Sequence, residues 1–260
     1  MKSIRITAVS YLNTFPFVYG LLQGPYASRF HLDLAIPSLC AAKLKSGDTD
    51  IALIPTGALP DYPNVHLVSD YCIGSKKTVR TVLLLSRIPL SQIQSIGLDF
   101  ESRTSVNMVK ILAAEYWNIQ PEYYPVQQSD IPKLTEIPSL VAIGDKTFEL
   151  SRHYPYRYDL AGEWFKFTGL PFVFAVWASL STMEEDVIRD LNECLRYGLS
   201  KKAESLEFFS REIPNCDNCL QYLEENISYL LDGDKRKGME LFLKKLNLTF
   251  STTLYYLLTG

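Results

Sequence analysis

Apolar and polar positions fall into short runs whose period changes along the first third of the chain. Ile4 to Val9 alternates and then turns apolar, which predicts a strand. The run breaks at Ser10-Tyr11-Leu12-Asn13-Thr14 and restarts as an amphipathic helix over Phe15 to Leu22, stopped near Gly24-Pro25. Phe30 to Ile36 (FHLDLAI) alternates cleanly and predicts a second strand. Ser38 is placed to cap LCAAKLKS, and Gly47 to end it. Ile51 to Pro55 (IALIP) is apolar throughout, as a strand buried on both faces must be. Short elements in the order βαβαβ predict a parallel sheet with right-handed crossovers.

Val65–Val68 and Tyr71–Ile73 are short strand candidates, and Thr78–Ser86 (TVRTVLLLS) is a longer β-branched run. The α/β pattern then restarts. Ser95–Leu98 predicts a strand, Thr104–Trp117 a helix, Tyr123–Val126 and Leu140–Ile143 two more strands, and Lys146–Ser151 a short helix. Leu170–Ser179 (LPFVFAVWAS) predicts a long returning strand. Beyond Thr182 the pattern is helical, over Met183–Glu212, Asn218–Leu231 and Lys235–Leu246, with Gly198 a possible break and Thr249–Gly260 an apolar, aromatic tail. Two long strands bracketing a complete α/β unit predict two lobes. Lobe 1 comprises 1–84 plus 178–260 and lobe 2 comprises 85–177, with interlobe crossovers near Leu83–Ser86 and Phe172–Trp177 and a ligand cleft between.

Bulk properties narrow the function. The apolar share of 47% and charged share of 21% are those of an ordinary globular protein, and a net charge of −3 gives no electrostatic case for nucleic acid or an anionic membrane. No run reaches the roughly 18 apolar residues of a membrane span, and the N-terminus enters a strand without a signal-peptide core. The expected compartment is the cytoplasm. Five cysteines include a C-x-x-C at Cys216 and Cys219 that lacks a second ligand pair or a thioredoxin-like context, so inert or helix-start cysteines are expected.

The strand-to-loop exit at Ser10–Thr14 is where open α/β proteins place ligands. Asn13 there offers an amide that both donates and accepts; its alternative role is to cap the following helix with Thr14.

Five stretches in order, SYLNTFPF (10–17), IALIPTGAL (51–59), SRTSVNMVKIL (102–112), AIGD (142–145) and YDLAGEWFKFTGLPFVFAVW (158–177), resemble the chorismate dehydratases of the futalosine route to menaquinone. The likeness covers most of residues 1–180. It implies an α/β, two-lobed type II periplasmic-binding-protein-like fold with two interlobe crossover strands and C-terminal helices. It also implies a cytoplasmic, cofactor-free and metal-free lyase, whose partner is its small-molecule substrate, chorismate, rather than nucleic acid or membrane. The product is 3-[(1-carboxyvinyl)oxy]benzoate. Neither a glycine-rich phosphate fingerprint nor H-E-x-x-H is present. Two other readings share the fold: a carboxylate-binding domain without catalysis, and the sister lyase that forms a dihydroxynaphthoate.

This chemistry needs two carboxylate anchors, a base, and help for the departing 4-hydroxyl. Asn13, in the family's Y-L-N-T motif, is the expected polar contact. Thr81 stands where the family more often has a serine, and keeps the hydroxyl. Asp145 is a base, a group orienting the 4-hydroxyl, or a cap for the helix after it. The substrate's own enolpyruvyl carboxylate is an alternative base. Arg103, Thr104 and Ser105, at the start of a helix, suit a carboxylate, with capping as the alternative role for the two hydroxyls. Tyr11 and Ser75 complete the expected substrate contacts. Trp164, Phe172 and Trp177 are wall or core. His31, His66 and His153 sit in no matching polar motif.

Overall fold

The computed structural model describes residues 3–99, 101–127 and 133–249. In chain order the first elements are β1 (Ile4–Val9), α1 (Phe15–Gln23), β2 (Phe30–Ala35), α2 (Pro37–Ser46), β3 (Ile51–Pro55) and β4 (His66–Ser75). β1 runs parallel to both β2 and β3, as βαβαβ requires. Pro37, not Ser38, opens α2, because a proline at the first helical position gives up an N–H that has no partner there anyway. Gly47 ends that helix at φ +77°, a conformation that favours glycine. The two short candidates around Ser69-Asp70 form one strand, β4, which pairs with β10 across a register shift.

The second group is β5 (Val82–Ser86), β6 (Ser95–Asp99), α3 (Arg103–Glu115), β7 (Glu122–Val126), β8 (Ser139–Ile143), α4 (Lys146–Leu150), β9 (Tyr156–Asp159) and α5 (Leu160–Thr168). The chain then returns through β10 (Phe172–Ser179), α6 (Glu185–Leu199), α7 (Lys202–Phe208), α8 (Cys219–Gln221), a π-helical turn at Tyr222–Asn226, β11 (Ser228–Leu230) and α9 (Gly233–Thr249). The sheets have the orders β11-β4-β10-β3-β1-β2 and β7-β6-β8-β5-β9.

Each long strand lies wholly within one sheet, so the crossovers are not inside strands near Leu83–Ser86 and Phe172–Trp177. β5 pairs with β8 and β9 from Val82 onward, and β10 pairs with β3 and β4 from Phe172 onward. The chain passes between sheets over residues 76–81, after β4, and through α5 and residues 169–171, before β10. The apolar run at 78–86 reads as one strand because the turn residues Val79 and Thr81 are themselves buried.

The C-terminal region is only partly helical. Ile227 to Leu231 alternates buried and exposed, a period of two, and its centre adds β11 to the edge of the first sheet. Gly198 does not break α6. A Cβ there would lie 1.8 Å from the Pro16 carbonyl oxygen, and one on Gly20 would lie 2.0 Å from that of Cys194, so the two glycines let α1 and α6 touch backbone to backbone. The tail expected to pack on a lobe falls, from residue 250, outside the described residues.

One apolar core runs through the first sheet and into the second, taking Leu84 from β5, while Leu83 and Leu85 face a smaller cluster with Leu140, Leu150 and Tyr154 on the opposite side. Trp164, Phe172 and Trp177 are buried in the main core and do not line the cleft.

Candidate functional site

Between the sheets lies a cavity enclosing about 530 Å³, its open mouth included, lined from both sides. From the first sheet and its loops come Val9, Tyr11, Asn13, Pro55, Ile73, Phe174 and Ala175; from the second side come Val82, Ser102, Thr104, Ser105, Ile143 and Gly144; Val79 and Thr81 come from the passage between sheets. No residue lining it carries a charge. Among the described residues no group of His, Cys, Asp and Glu is placed to hold a metal ion.

β1 ends where Ser10 is exposed, and the chain then enters a 3-10 turn at Leu12–Thr14 before α1. This loop is fastened to the second lobe. The Leu12 N–H donates to both Asp145 oxygens, at 3.0 and 3.2 Å, and the Tyr11 hydroxyl donates to Glu101 at 2.9 Å. The Tyr11 ring lies over Gly144, where a Cβ would come within 2.8 Å of it and where φ is +71°, so only glycine suits this turn. Glu101 also pairs with Lys146, which holds Asp99 at 2.8 Å. Burial alone would lower the Lys146 pKa, but the two carboxylates raise it above the ordinary value, so the ammonium stays charged.

Asp145 therefore stands behind the lining. Its side chain accepts from Leu12 and makes no cap to α4. Burial raises its pKa to about 6, the Leu12 N–H opposing and Glu101 adding to the rise. The carboxylate holds the Asn13 loop instead of facing the cavity.

Ser102 is the N-cap of α3, a role the sequence suggested for its neighbours. Its Oγ accepts from the Ser105 N–H at 3.0 Å and donates to Ser105 Oγ at 2.9 Å. The Ser105 hydroxyl proton is thereby left for the cavity that Ser105 lines. Thr104 Oγ1 accepts from the Gly57 N–H at 2.9 Å and donates to the Phe174 carbonyl at 3.2 Å, so it is committed to joining the lobes. Arg103 is not in the cavity. It points outward, half exposed, and pairs with Asp61. Ser75 is also outside the lining; its hydroxyl donates to Thr78 O at 2.8 Å and closes the turn after β4.

Thr81 is 1% exposed, and its hydroxyl lies 2.8 Å from that of Tyr222. The segment carrying it is held by Asp159, whose carboxylate accepts from the N–H groups of Val79, Arg80 and Gly162. Arg80 adopts φ +65°, a strained backbone position for a side-chain-bearing residue. Asn13 Oδ1 accepts from the Thr14 hydroxyl at 3.0 Å, and its carbonyl accepts from Tyr229 at 3.0 Å. Neither Asn13 nor Thr14 caps α1 through its side chain.

Five of the residues expected from sequence, Tyr11, Asn13, Thr81, Thr104 and Ser105, thus meet at one cavity, and Ser75, Arg103 and Asp145 stand outside its lining. Sequence reasoning missed Glu101, Ser102, Asp159 and Tyr222, which serve the site from separate parts of the chain. A signal existed for Ser102 in the S-x-x-S spacing at the helix start; none existed for Tyr222. The C-x-x-C cysteines lie near this side of the molecule. Cys219 opens α8 and its thiol donates to Cys216 O at 3.3 Å, and burial, with Cys219 beside it, raises the Cys216 pKa, so it stays a thiol. The three histidines are exposed and away from the cavity.

A family model described as menaquinone biosynthesis matches residues 4–247. A chorismate dehydratase of Thermus thermophilus is 27% identical over 269 residues, spanning 92% of this chain and 98% of that protein. Among solved structures, protein AF1704 of Archaeoglobus fulgidus superposes with a TM-score of 0.74 at 12% identity, covering 95% of this chain and 98% of its own. The CA3427 gene product of Candida albicans, which exhibits the generic periplasmic binding protein fold, gives 0.66 at 14% identity and 95% of each chain. The alkanesulfonate-binding protein SsuA of Xanthomonas axonopodis gives 0.65 at 14%, over 95% of this chain and 92% of its own. The fold is periplasmic-binding-protein-like.

Proposed function

The chain belongs to the menaquinone biosynthesis family, and from that premise we propose that its cleft eliminates water from chorismate to give 3-[(1-carboxyvinyl)oxy]benzoate, a carbon–oxygen lyase reaction. The observation that carries the reading is the convergence of the Asn13 amide and the Thr81 and Ser105 hydroxyls, from three separate segments, on one cavity. The full-length similarity to a chorismate dehydratase agrees with it.

The ring C–H beside the enolpyruvyl ether loses its proton to the substrate's own enolpyruvyl carboxylate. The electron pair left behind spreads through the diene toward the ring carboxylate, then closes the aromatic ring as the 4-hydroxyl departs. That hydroxyl takes up the proton that the carboxylate received and leaves as water, so the carboxylate ends as it began. The Ser105 hydroxyl and the start of α3 stabilise the charge gained by the ring carboxylate, and Asn13 and Thr81 donate to the departing oxygen. The protein's part is positioning and electrostatics; Asp145 serves by holding the Asn13 loop. With no charged residue in the lining, a dianionic substrate is bound by N–H and O–H dipoles in a poorly hydrated space, where each counts for more than in water. A biosynthetic reaction of a soluble acid suits the cytoplasm, and among the described residues no helix is long and apolar enough to cross a membrane.

The test mixes purified protein with chorismate and follows loss of diene absorbance and appearance of the benzoate by chromatography. Equimolar conversion is the expected result. Chorismate bound but recovered unchanged points to a binding domain, and no interaction at all removes the reading.

A further inference from the structure

Tyr222 does not line the cavity, yet its hydroxyl lies 2.8 Å from that of Thr81, one of the groups assigned to the departing oxygen. It is fully buried at the start of the π-helical turn, a helix type that recurs at functional sites. Its ring packs edge-on against Phe148, with centroids 5.3 Å apart at 87°, which fixes where the hydroxyl points.

The hydrogen bonds at that hydroxyl can be assigned by counting protons. The phenol has one proton to give. Its hydrogen-bond partner among the described residues is Thr81 Oγ1, at 2.8 Å, and the Tyr222 proton goes there. If Thr81 donated instead, a buried phenol proton would be left without an acceptor, at substantial cost. Thr81 thus accepts from Tyr222 and keeps its own proton, whose protein acceptor, Val79 O, is a distant 3.4 Å away. Thr81 lines the cavity, and its proton is available there.

We propose that Tyr222 is a positioning residue of the site: its hydroxyl fixes Thr81 as a hydrogen-bond donor toward the ligand. Receiving a hydrogen bond from Tyr222 polarises the Thr81 hydroxyl and strengthens it as a donor. The β-branched side chain of threonine narrows the rotamers available to that hydroxyl. Burial pushes the Tyr222 phenol far above its ordinary range, so it remains a donor at every working pH. The kinetic consequence rests on the chorismate reading; the orientation of Thr81 does not.

The experiment has two arms. In the first, steady-state kinetics on chorismate compare the wild type with Tyr222→Phe, Thr81→Val and the double variant, with thermal melts as controls. Tyr222→Phe keeps the packed ring and removes only the hydroxyl. Its kcat should fall about 10-fold, as loss of one polarising hydrogen bond implies, with KM within about twofold. The double variant should be no slower than Thr81→Val, because Tyr222 acts through Thr81. A Tyr222→Phe enzyme within twofold of wild type, or effects that multiply in the double variant, would overturn the proposal. The second arm needs no turnover. In protein labelled with ¹³C at the threonine methyl groups, the Thr81 methyl signal, identified by its loss in Thr81→Val, should shift in Tyr222→Phe while distant threonine methyls stay in place. An unmoved Thr81 signal refutes the positioning role even if the wild type proves inactive on chorismate, an outcome that would remove only the assigned reaction.

Discussion

The Thr104 hydroxyl accepts the Gly57 N–H at 2.9 Å, and a Cβ on Gly57 would come within 2.8 Å of Thr104 Cα. Backbone and side chain therefore meet so closely that only glycine fits, and the same hydroxyl reaches the Phe174 carbonyl. Thr104 joins α3 to the first lobe. Thr104→Val keeps the shape but leaves a buried N–H without its partner, which costs about 2 kcal/mol. For a chain of this size that is a fall in Tm of roughly 4–8 °C. Thr104→Ser should recover most of it. A valine variant melting with the wild type would show that the two lobes do not depend on this bridge.

Ser105, one residue on, should behave in the opposite way. Its hydroxyl proton is not used within α3, so Ser105→Ala should leave Tm within about 2 °C and lower kcat/KM by roughly 10-fold or more, the worth of one hydrogen bond to a charged group. Arg103→Ala is the matched control. An exposed ion pair with Asp61 contributes little, about 0–1 kcal/mol, and its loss should leave kcat/KM unchanged. A large kinetic defect in Arg103→Ala with normal kinetics in Ser105→Ala would invert the assignment of the anion site.

Asn13→Ala should reduce turnover far more than stability. The residue is half-buried in a loop, and the loop's anchors, Leu12 to Asp145 and Tyr11 to Glu101, are untouched. A stability loss of about 1 kcal/mol is the expected scale for its side-chain hydrogen bond with Thr14. Equal activity at a normal melting temperature would leave Asn13 without a functional role.

The two-lobed α/β plan was legible because its strands are short, apolar and separated by clear helix signals. The loop at Tyr11–Asn13 and the start of α3 were legible because strand exits and helix N-termini carry local marks. Side-chain direction was not. Arg103, Thr104 and Ser105 are adjacent, and a helix sends adjacent side chains 100° apart, so one ion-pairs outward, one bridges the lobes and one faces the cavity. Asp145 is misread for a related reason: its partner, Leu12, is remote in sequence and is a backbone N–H, which leaves no trace in composition. Tyr222 and β11 lie in a stretch whose apolar spacing passes for a continuous helix, and only pairing with β4 decides otherwise.

Gly198→Ala tests the helix contact that the sequence suggested as a break. Alanine favours a helix by about 1 kcal/mol over glycine. Here the methyl would sit 1.8 Å from the Pro16 carbonyl oxygen, a backbone atom that moves only if α1 does. The clash should outweigh the propensity gain and lower Tm by several degrees, with overpacking typically costing about 1–3 kcal/mol. A stabilised alanine variant would mean that α1 and α6 are not in backbone contact.

Asp145 gives the stability curve a definite sign. Burial, opposed by Leu12 and reinforced by Glu101, places its pKa at about 6 in the folded protein, against 3.8 for the ordinary side chain. Between those values the folded chain holds a proton that the unfolded chain has released. Stability from this group is then present at low pH and is lost as pH rises through the window, levelling off above about 6.5. The full effect is at most about 3 kcal/mol, from 1.36 kcal/mol per pH unit. Asp145→Asn still accepts the Leu12 N–H but does not titrate. All other groups titrate alike in both proteins, so the difference in Tm, variant minus wild type, isolates this one. It should climb from pH 4 to about 6.5 in favour of asparagine and stay level to pH 8. Parallel melting curves across the range would mean that Asp145 is ionised in the native protein as readily as in water. Its carboxylate would then be solvated, and the hold on the Asn13 loop would have to come from Tyr11 and Glu101 alone.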